Sequence, residues 1–263
     1  LNSAIVGDSD NIPVVILHGL YGSGESWTRV AGILEAKYKV YLPDLRNHGR
    51  SFHHPSHTYQ ELAQDVKIWA DSLGLKRFYL VGHSMGGKTA MFFANKYPEL
   101  IEKMIIADIS PRSYSALMDH VESIQFHLNL ISMMRTLPIE TFSSYKIAAA
   151  HISNYDENIR NIVLKNLRKE NGRMYWKMNV DAIFNNFPEI MDGLNPDDFI
   201  DRKIETPTLF LKAELSNYMT DQDKKLIDFI FTNANVEIVP AASHWLHYEQ
   251  PEDVAGRIGR FFE

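Results

Sequence analysis

The sequence predicts an α/β fold: a mostly parallel central sheet with helices on both faces, interrupted by a helical insertion. Three observations predict it. Short apolar runs alternate with segments of helical spacing from residue 13 onward. The runs are continuous rather than polar–apolar, as in strands covered on both faces. The alternation stops near residue 112 and resumes near residue 204, with helical patterning between. Alternating strands and helices imply a parallel sheet.

Each element follows in order. "PVVILHG" is the first buried strand, and "SWTRVAGILEAKY" has helical spacing. "KVYLPD" is the next strand. Thr58 and Glu61 form a capping box ahead of a helix whose Leu62, Val66, Trp69 and Leu73 share one face. "RFYLV" and "EKMIIADIS" are strands on either side of the helix "KTAMFFANKY". Residues 112–203 read as helical throughout, with no strand; "SALMDHVESIQFHLNLISMMRTL" and "NIRNIVLKNLRKENG" are the clearest pieces. The strand "PTLFLKA", a helix near "DQDKKLIDFIF", the strand "VEIVP" and a helix from Pro251 complete the pattern. The expected organisation is a core of residues 1–111 and 204–263 and a cap of residues 112–203. In open parallel sheets ligands bind at the carboxyl ends of the strands, and a long insertion there reads as a lid.

Composition removes several classes of function. The chain has 263 residues and a net charge of −6, so attraction to nucleic acid or to an anionic membrane is not expected. It has no cysteine, which excludes disulfides and thiolate metal sites and fits a cytoplasmic protein. No run of 18 apolar residues predicts a membrane span.

Residues 82–89, "GHSMGGKT", satisfy two catalytic patterns at once. Gly82-x-Ser84-x-Gly86 is the turn that presents a hydrolase serine. Gly82-x₄-Gly87-Lys88-Thr89 is a phosphate-binding loop. "MIIAD" adds an aspartate where a nucleotidase would hold magnesium. Distant residues separate the readings. A serine needs a histidine to take its proton, and "VPAASHWLHYEQP" supplies His244 in a loop after the last strand. His247, three residues on, reads as the start of the next segment. The turn "HGLYG" aims the Leu20 N–H at the top of the sheet, and the Met85 N–H follows the serine. Together they make a two-amide oxyanion hole, for which a nucleotidase has no use.

The acid that orients the histidine is expected in "KAELSNYM", but Ser216 stands where the aspartate would be. Glu214 and Asp221 are displaced from that position. Asp108 ends the strand after the nucleophile strand and reaches the histidine from a neighbouring strand end. Ser216 is then free to support the acid or the histidine by a hydrogen bond.

"LHGLYGS", "DLRNHGRS", "VGHSMGGKTAM", "ADISP" and "SHWLHYEQP" together resemble the α/β-hydrolase fold, and within it the YbfF-type bacterial esterases and their mitochondrial relatives. The resemblance runs from residue 17 to 251; the cap matches only in length and position. It implies a triad of Ser84, Asp108 and His244 with Ser216 as a fourth member. It also implies that Lys88 belongs to a "GGK" motif and has no phosphate to meet.

Other residues are expected to be structural. His53, His54 and His57 read as a solvated loop rather than a metal site. His18 and His83 read as packed and hydrogen-bonded, Asp44 and Arg46 as loop-holding polar contacts, and Met133 and Met134 as core. The expected activity is hydrolysis of a small-molecule acyl ester of short to medium chain, with no metal and no cofactor. Acyl transfer or thioester cleavage would use the same triad. A phosphate-binding nucleotidase and a non-catalytic ligand receptor are the competing classes.

Overall fold

A seven-stranded sheet carries the molecule in the computed structural model, which describes residues 1–8, 10, 12–114 and 121–263, the side chains of 121 and 122 excepted. The strands are β1 Ser3–Val6, β2 Val14–Leu17, β3 Val40–Pro43, β4 Phe78–His83, β5 Ile101–Ala107, β8 Thr208–Ala213 and β9 Ala234–Val239. Their order is β1-β3-β2-β4-β5-β8-β9. All neighbours pair in parallel except β1, which runs antiparallel to β3 at the edge. Sequence patterning begins at β2 and misses β1, whose apolar run is only three residues long and none of whose residues is fully buried.

Helices cover both faces, as the continuous apolar strands require. One face packs under α1 (Thr28–Leu34) and the terminal α11 (Pro251–Phe262), around Trp27, Val81, Ile105 and Ile258. The other packs under α2 (Tyr59–Ser72), α3 (Met85–Lys96) and α9 (Asp223–Ile230), around Leu62, Phe93, Ile106 and Phe210. The Thr58–Glu61 capping box forms, its N-terminal amides satisfied in both directions. Leu62, Val66 and Trp69 are buried, whereas Leu73, just past the helix end, is exposed. A short α10, Leu246–Glu249, follows the last strand loop.

Between β5 and β8 lies the insert. It contains α4 Val121–Thr136, α5 Tyr145–His151, α6 Glu157–Lys165, α7 Val180–Asn185 and α8 Phe187–Met191. The start of the expected helix from residue 115 lies outside the described residues. The all-helical expectation is corrected at 167–176. There β6 (Leu167–Glu170) and β7 (Arg173–Trp176) form an antiparallel hairpin. The turn is Asn171-Gly172, both at positive φ (48° and 81°). That dipeptide favours a two-residue hairpin over a helix.

The insert crosses the carboxyl ends of the strands. Its Asn166 side chain donates to the Tyr21 carbonyl after β2 at 2.9 Å. Asn179 N–H donates to the Asn47 carbonyl after β3 at 2.9 Å. Tyr59 reaches the Ile190 carbonyl at 2.6 Å. At its base the two crossings pair: Tyr114 N–H donates to Met191, and Leu194 N–H to Pro111. No helix among the described residues is long and apolar enough to cross a membrane.

Candidate active site

Sheet register sets the first two side chains. His83 on β4 pairs with Ala107 on β5. Ser84 and Asp108 are each the next residue, so they leave neighbouring strands at the same height. Both have positive φ, 52° at Ser84 and 47° at Asp108, conformations that cost roughly 1–3 kcal/mol each. The sheet holds them there: Ser84 N–H donates to Ala107, and Asp108 N–H to Leu211. The sharp turn at Ser84 works only because α3 can press against β2. A Cβ at Gly86 would collide with the Leu17 carbonyl.

His244 comes from the loop after β9. Its Nδ1 lies 2.8 Å from Asp108 Oδ2 and its Nε2 3.0 Å from Ser84 Oγ. A carboxylate only accepts, so Nδ1 carries the proton and Nε2 is left to accept from the serine. Asp108 is fully buried, and its second oxygen accepts the Ala213 N–H at 3.0 Å. His83 Nε2 donates to the His244 carbonyl at 2.8 Å, fixing the histidine's backbone.

The turn after β2 packs directly on Ser84. A Cβ at Gly19 would lie 3.2 Å from Ser84 Cβ and 2.9 Å from His83 Nδ1. His18 holds this turn. Its Nε2 accepts the Leu45 N–H at 3.0 Å, which leaves Nδ1 to donate to the Gly19 carbonyl at 2.9 Å. Burial lowers the His18 pKa and keeps the ring in this neutral form. Among the described residues the Leu20 and Met85 amides have no backbone acceptor outside their own elements. Met85 opens α3, where the first amides have no partner within the helix.

Ser216 does not join this constellation. Its Oγ accepts the Tyr218 N–H at 3.3 Å, and among the described residues it bonds neither Asp108 nor His244. The loop after β8 turns so that Ala213 supplies the backbone donor to the acid. Tyr218, which no sequence motif singles out, lays its ring against His244 instead. The displaced carboxylates are engaged elsewhere, Glu214 with the Ala241 N–H and Asp221 with Lys212.

The phosphate-loop reading fails on Lys88. The residue is 1% exposed, and its Nζ donates to the Arg112 and Asp192 carbonyls at the two crossings of the insert. Burial pushes its pKa down to about 7. Its amine is committed to the base of the insert and cannot cradle a phosphate.

The histidines outside the constellation divide. His53 and His54 are exposed, but His57 is buried, a correction to the solvated-loop expectation. The insert covers it: Asn186 accepts the His57 N–H and donates to Pro55. Its Nε2 lies 3.3 Å from Met85 Sδ, and burial lowers its pKa to about 3. His247 stacks on Trp27, and burial brings it also to about 3. No group of three or more potential metal ligands occurs among the described residues. Asp44 accepts the Gly24 and Arg50 amides, and Arg46 pairs with Asp65 and Glu61. Met134 is core and Met133 packs against it.

A cavity of about 540 Å³ opens between the insert and the loops after β2 and β9, with Ser84, Asp108 and His244 not among its walls. Its walls include Tyr21, Asn161, Lys165, Trp245 and Tyr248. Two of these directly follow Leu20 and His244.

The description "alpha/beta hydrolase fold" belongs to the family model that matches residues 12–251. The chain belongs to the α/β-hydrolase fold family. This hydrolase is 33% identical to the sn-1-specific diacylglycerol lipase ABHD11 of Danio rerio, covering 98% of the chain and 80% of the relative. It is 28% identical to the esterase YbfF of Escherichia coli, covering 96% and 93%. A solved structure described as a marine microorganism esterase superposes with a TM-score of 0.92 at 38% identity, covering 99% and 98%. The hydrolase therefore sits among esterases and lipases, as the resemblance in its motifs implies.

Proposed function

We propose that the protein is a serine carboxylesterase in which Ser84 is the nucleophile, His244 the general base and acid, and Asp108 the orienting carboxylate. One observation carries the reading: the two nitrogens of His244 face Ser84 Oγ and Asp108 Oδ2 at 3.0 and 2.8 Å. His244 takes the Ser84 proton as Oγ attacks the ester carbonyl. The Leu20 and Met85 amides receive the oxyanion. The C–O bond then breaks, and His244 returns the proton to the departing alcohol. A water activated by the same nitrogen attacks the acyl-enzyme, and Ser84 regains its proton when the acid leaves. Asp108 keeps the imidazole in the productive tautomer and stabilises its charged form.

The insert acts as a cap, because it crosses the strand ends that carry these residues. The cavity walled by Tyr21 and Trp245, the residues that follow Leu20 and His244, falls in the size range of small-molecule sites, and we read it as the space for a short- to medium-chain acyl group. The test is a p-nitrophenyl ester series from acetate to palmitate with added ethanol. Turnover that peaks at short to medium chains with free acid as product supports the proposal. Ethyl ester as the main product would make the enzyme an acyltransferase. Wild-type turnover by Ser84→Ala would remove the mechanism altogether.

A further inference from the structure

His244 uses both edges of its ring in the proposed triad, so only its faces remain. One face is occupied. The Tyr218 ring stacks on the imidazole with centroids 4.0 Å apart and planes at 22°. The ring is held from several sides. Its hydroxyl meets His127 Nε2 at 2.6 Å and Ser123 Oγ at 2.8 Å, both on α4 of the insert. Its N–H donates to Ser216, and its carbonyl accepts the Tyr114 hydroxyl. The other nitrogen of His127 meets the Tyr21 hydroxyl at 3.0 Å, and Tyr21 directly follows Leu20. One histidine of the insert thus bridges the two loops that flank the serine.

An aromatic face attracts a cation more than it attracts a neutral ring. His244 becomes a cation in each half of the proposed reaction, so a stacked tyrosine favours the charged stage over the resting one. Binding that strengthens only along the reaction raises turnover. We infer that Tyr218 is a positioning residue whose ring fixes the His244 ring plane and favours its protonated form. This rests on His244 being the general base. The other groups around His244 are Asp108 from β5, Ser84 from the start of α3, His83 from β4, His127 from α4, and Trp245 and His247 from its own loop. Burial lowers the pKa of His127 to about 4 and of His247 to about 3, and that of His83 well below the usual value. At neutral pH these three are uncharged, which leaves Asp108 and the Tyr218 face to meet the imidazolium.

The experiment compares Tyr218→Leu, which removes the ring, with Tyr218→Phe, which removes only the hydroxyl. The readout is kcat and KM for p-nitrophenyl acetate across pH. Tyr218→Leu is expected to lower kcat about five- to thirtyfold with KM nearly unchanged. Its acidic limb should move down by up to about one pH unit. Tyr218→Phe should keep the wild-type limb and kcat within about threefold. A graded series of fluorinated phenylalanines at 218 weakens the ring face at nearly constant shape, and serves equally if Tyr218→Leu does not fold. The limb should fall stepwise with fluorination. A limb that stays put across that series, or a Tyr218→Phe loss as large as that of Tyr218→Leu, overturns the inference. Ser84→Ala and His244→Ala run alongside. If either retains wild-type turnover, the triad reading fails; if both are inactive while the limb is unmoved, only this inference fails.

Discussion

Ser84 and Asp108 are held by backbone, whereas the insert meets the strand-end loops mainly through side-chain tips, with the Asn179 N–H to Asn47 bond as the backbone exception. On the sheet, register brings Ser84 and Asp108 to one height, and ladder amides clamp both strained residues. Across the site, His127, Asn166 and Asn186 each reach from the insert to a strand-end loop through a polar side chain. The sheet side is rigid because every ladder bond supports its neighbours. The insert side is specified atom by atom, so single substitutions there should retune the site rather than abolish it.

Breaking the sheet side should cost the most. Ser84→Ala is expected to lower kcat by about 10⁵-fold or more, measured by initial rates with p-nitrophenyl acetate. Asp108→Asn should follow with about a 10⁴-fold loss, because the amide favours the wrong tautomer of His244. Asp221→Asn, on an exposed partner of Lys212, should stay within about twofold. Equal losses from the two would reopen the identity of the acid. Gly19→Ala should lower kcat about 10²-fold by pushing the Leu20 amide off the oxyanion position, with KM little changed.

The insert side should respond more gently. Lys88→Met removes the donor shared by two partly buried carbonyls, a cost of about 1–3 kcal/mol. The melting temperature should fall by about 3–10 °C while kcat stays within about tenfold. A kcat loss as large as that of Asp108→Asn would erase the contrast between the two sides. The last effect concerns acid. Burial depresses the folded-state pKa of His57 and His247 to about 3 and of His127 to about 4, against 6.5 unfolded. Above pH 6.5 these groups are neutral in both states. As pH falls from 6.5 toward 3 the unfolded chain takes up protons that the native one refuses, so stability is lost across that window. Melting temperatures at stepped pH should decline there, and His57→Gln should flatten the slope by at most about 1.4 kcal/mol per pH unit.

The same contrast explains what the sequence made legible. Strands, covering helices and the turns around Ser84 and Leu20 depend on local residue pattern, and they stand out as motifs. Ser84, Asp108 and His244, chosen from such motifs, meet in one hydrogen-bonded line. Contacts made by side-chain tips across the insert left no such trace. His57 is covered by Asn186, 129 residues away, and nothing in "SFHHPSH" announces that partner. Ser216 stands at the expected register, yet the loop turns its hydroxyl toward Tyr218 N–H. Tyr218 belongs to no motif, because stacking asks only for an aromatic ring at the right place. The hairpin at 167–176 did carry a signal, Asn171-Gly172, which the helical spacing around it outweighed.

The paired crossings at 111–114 and 191–194, with the Lys88 amine seated between two of their carbonyls, form a neck. A chain that departs and returns through one doorway leaves strand order indifferent to whatever is spliced beyond it. On the proposed reading of the insert as a cap, transplanting a foreign insert through the same doorway would exchange substrate preference while the sheet beneath kept its shape.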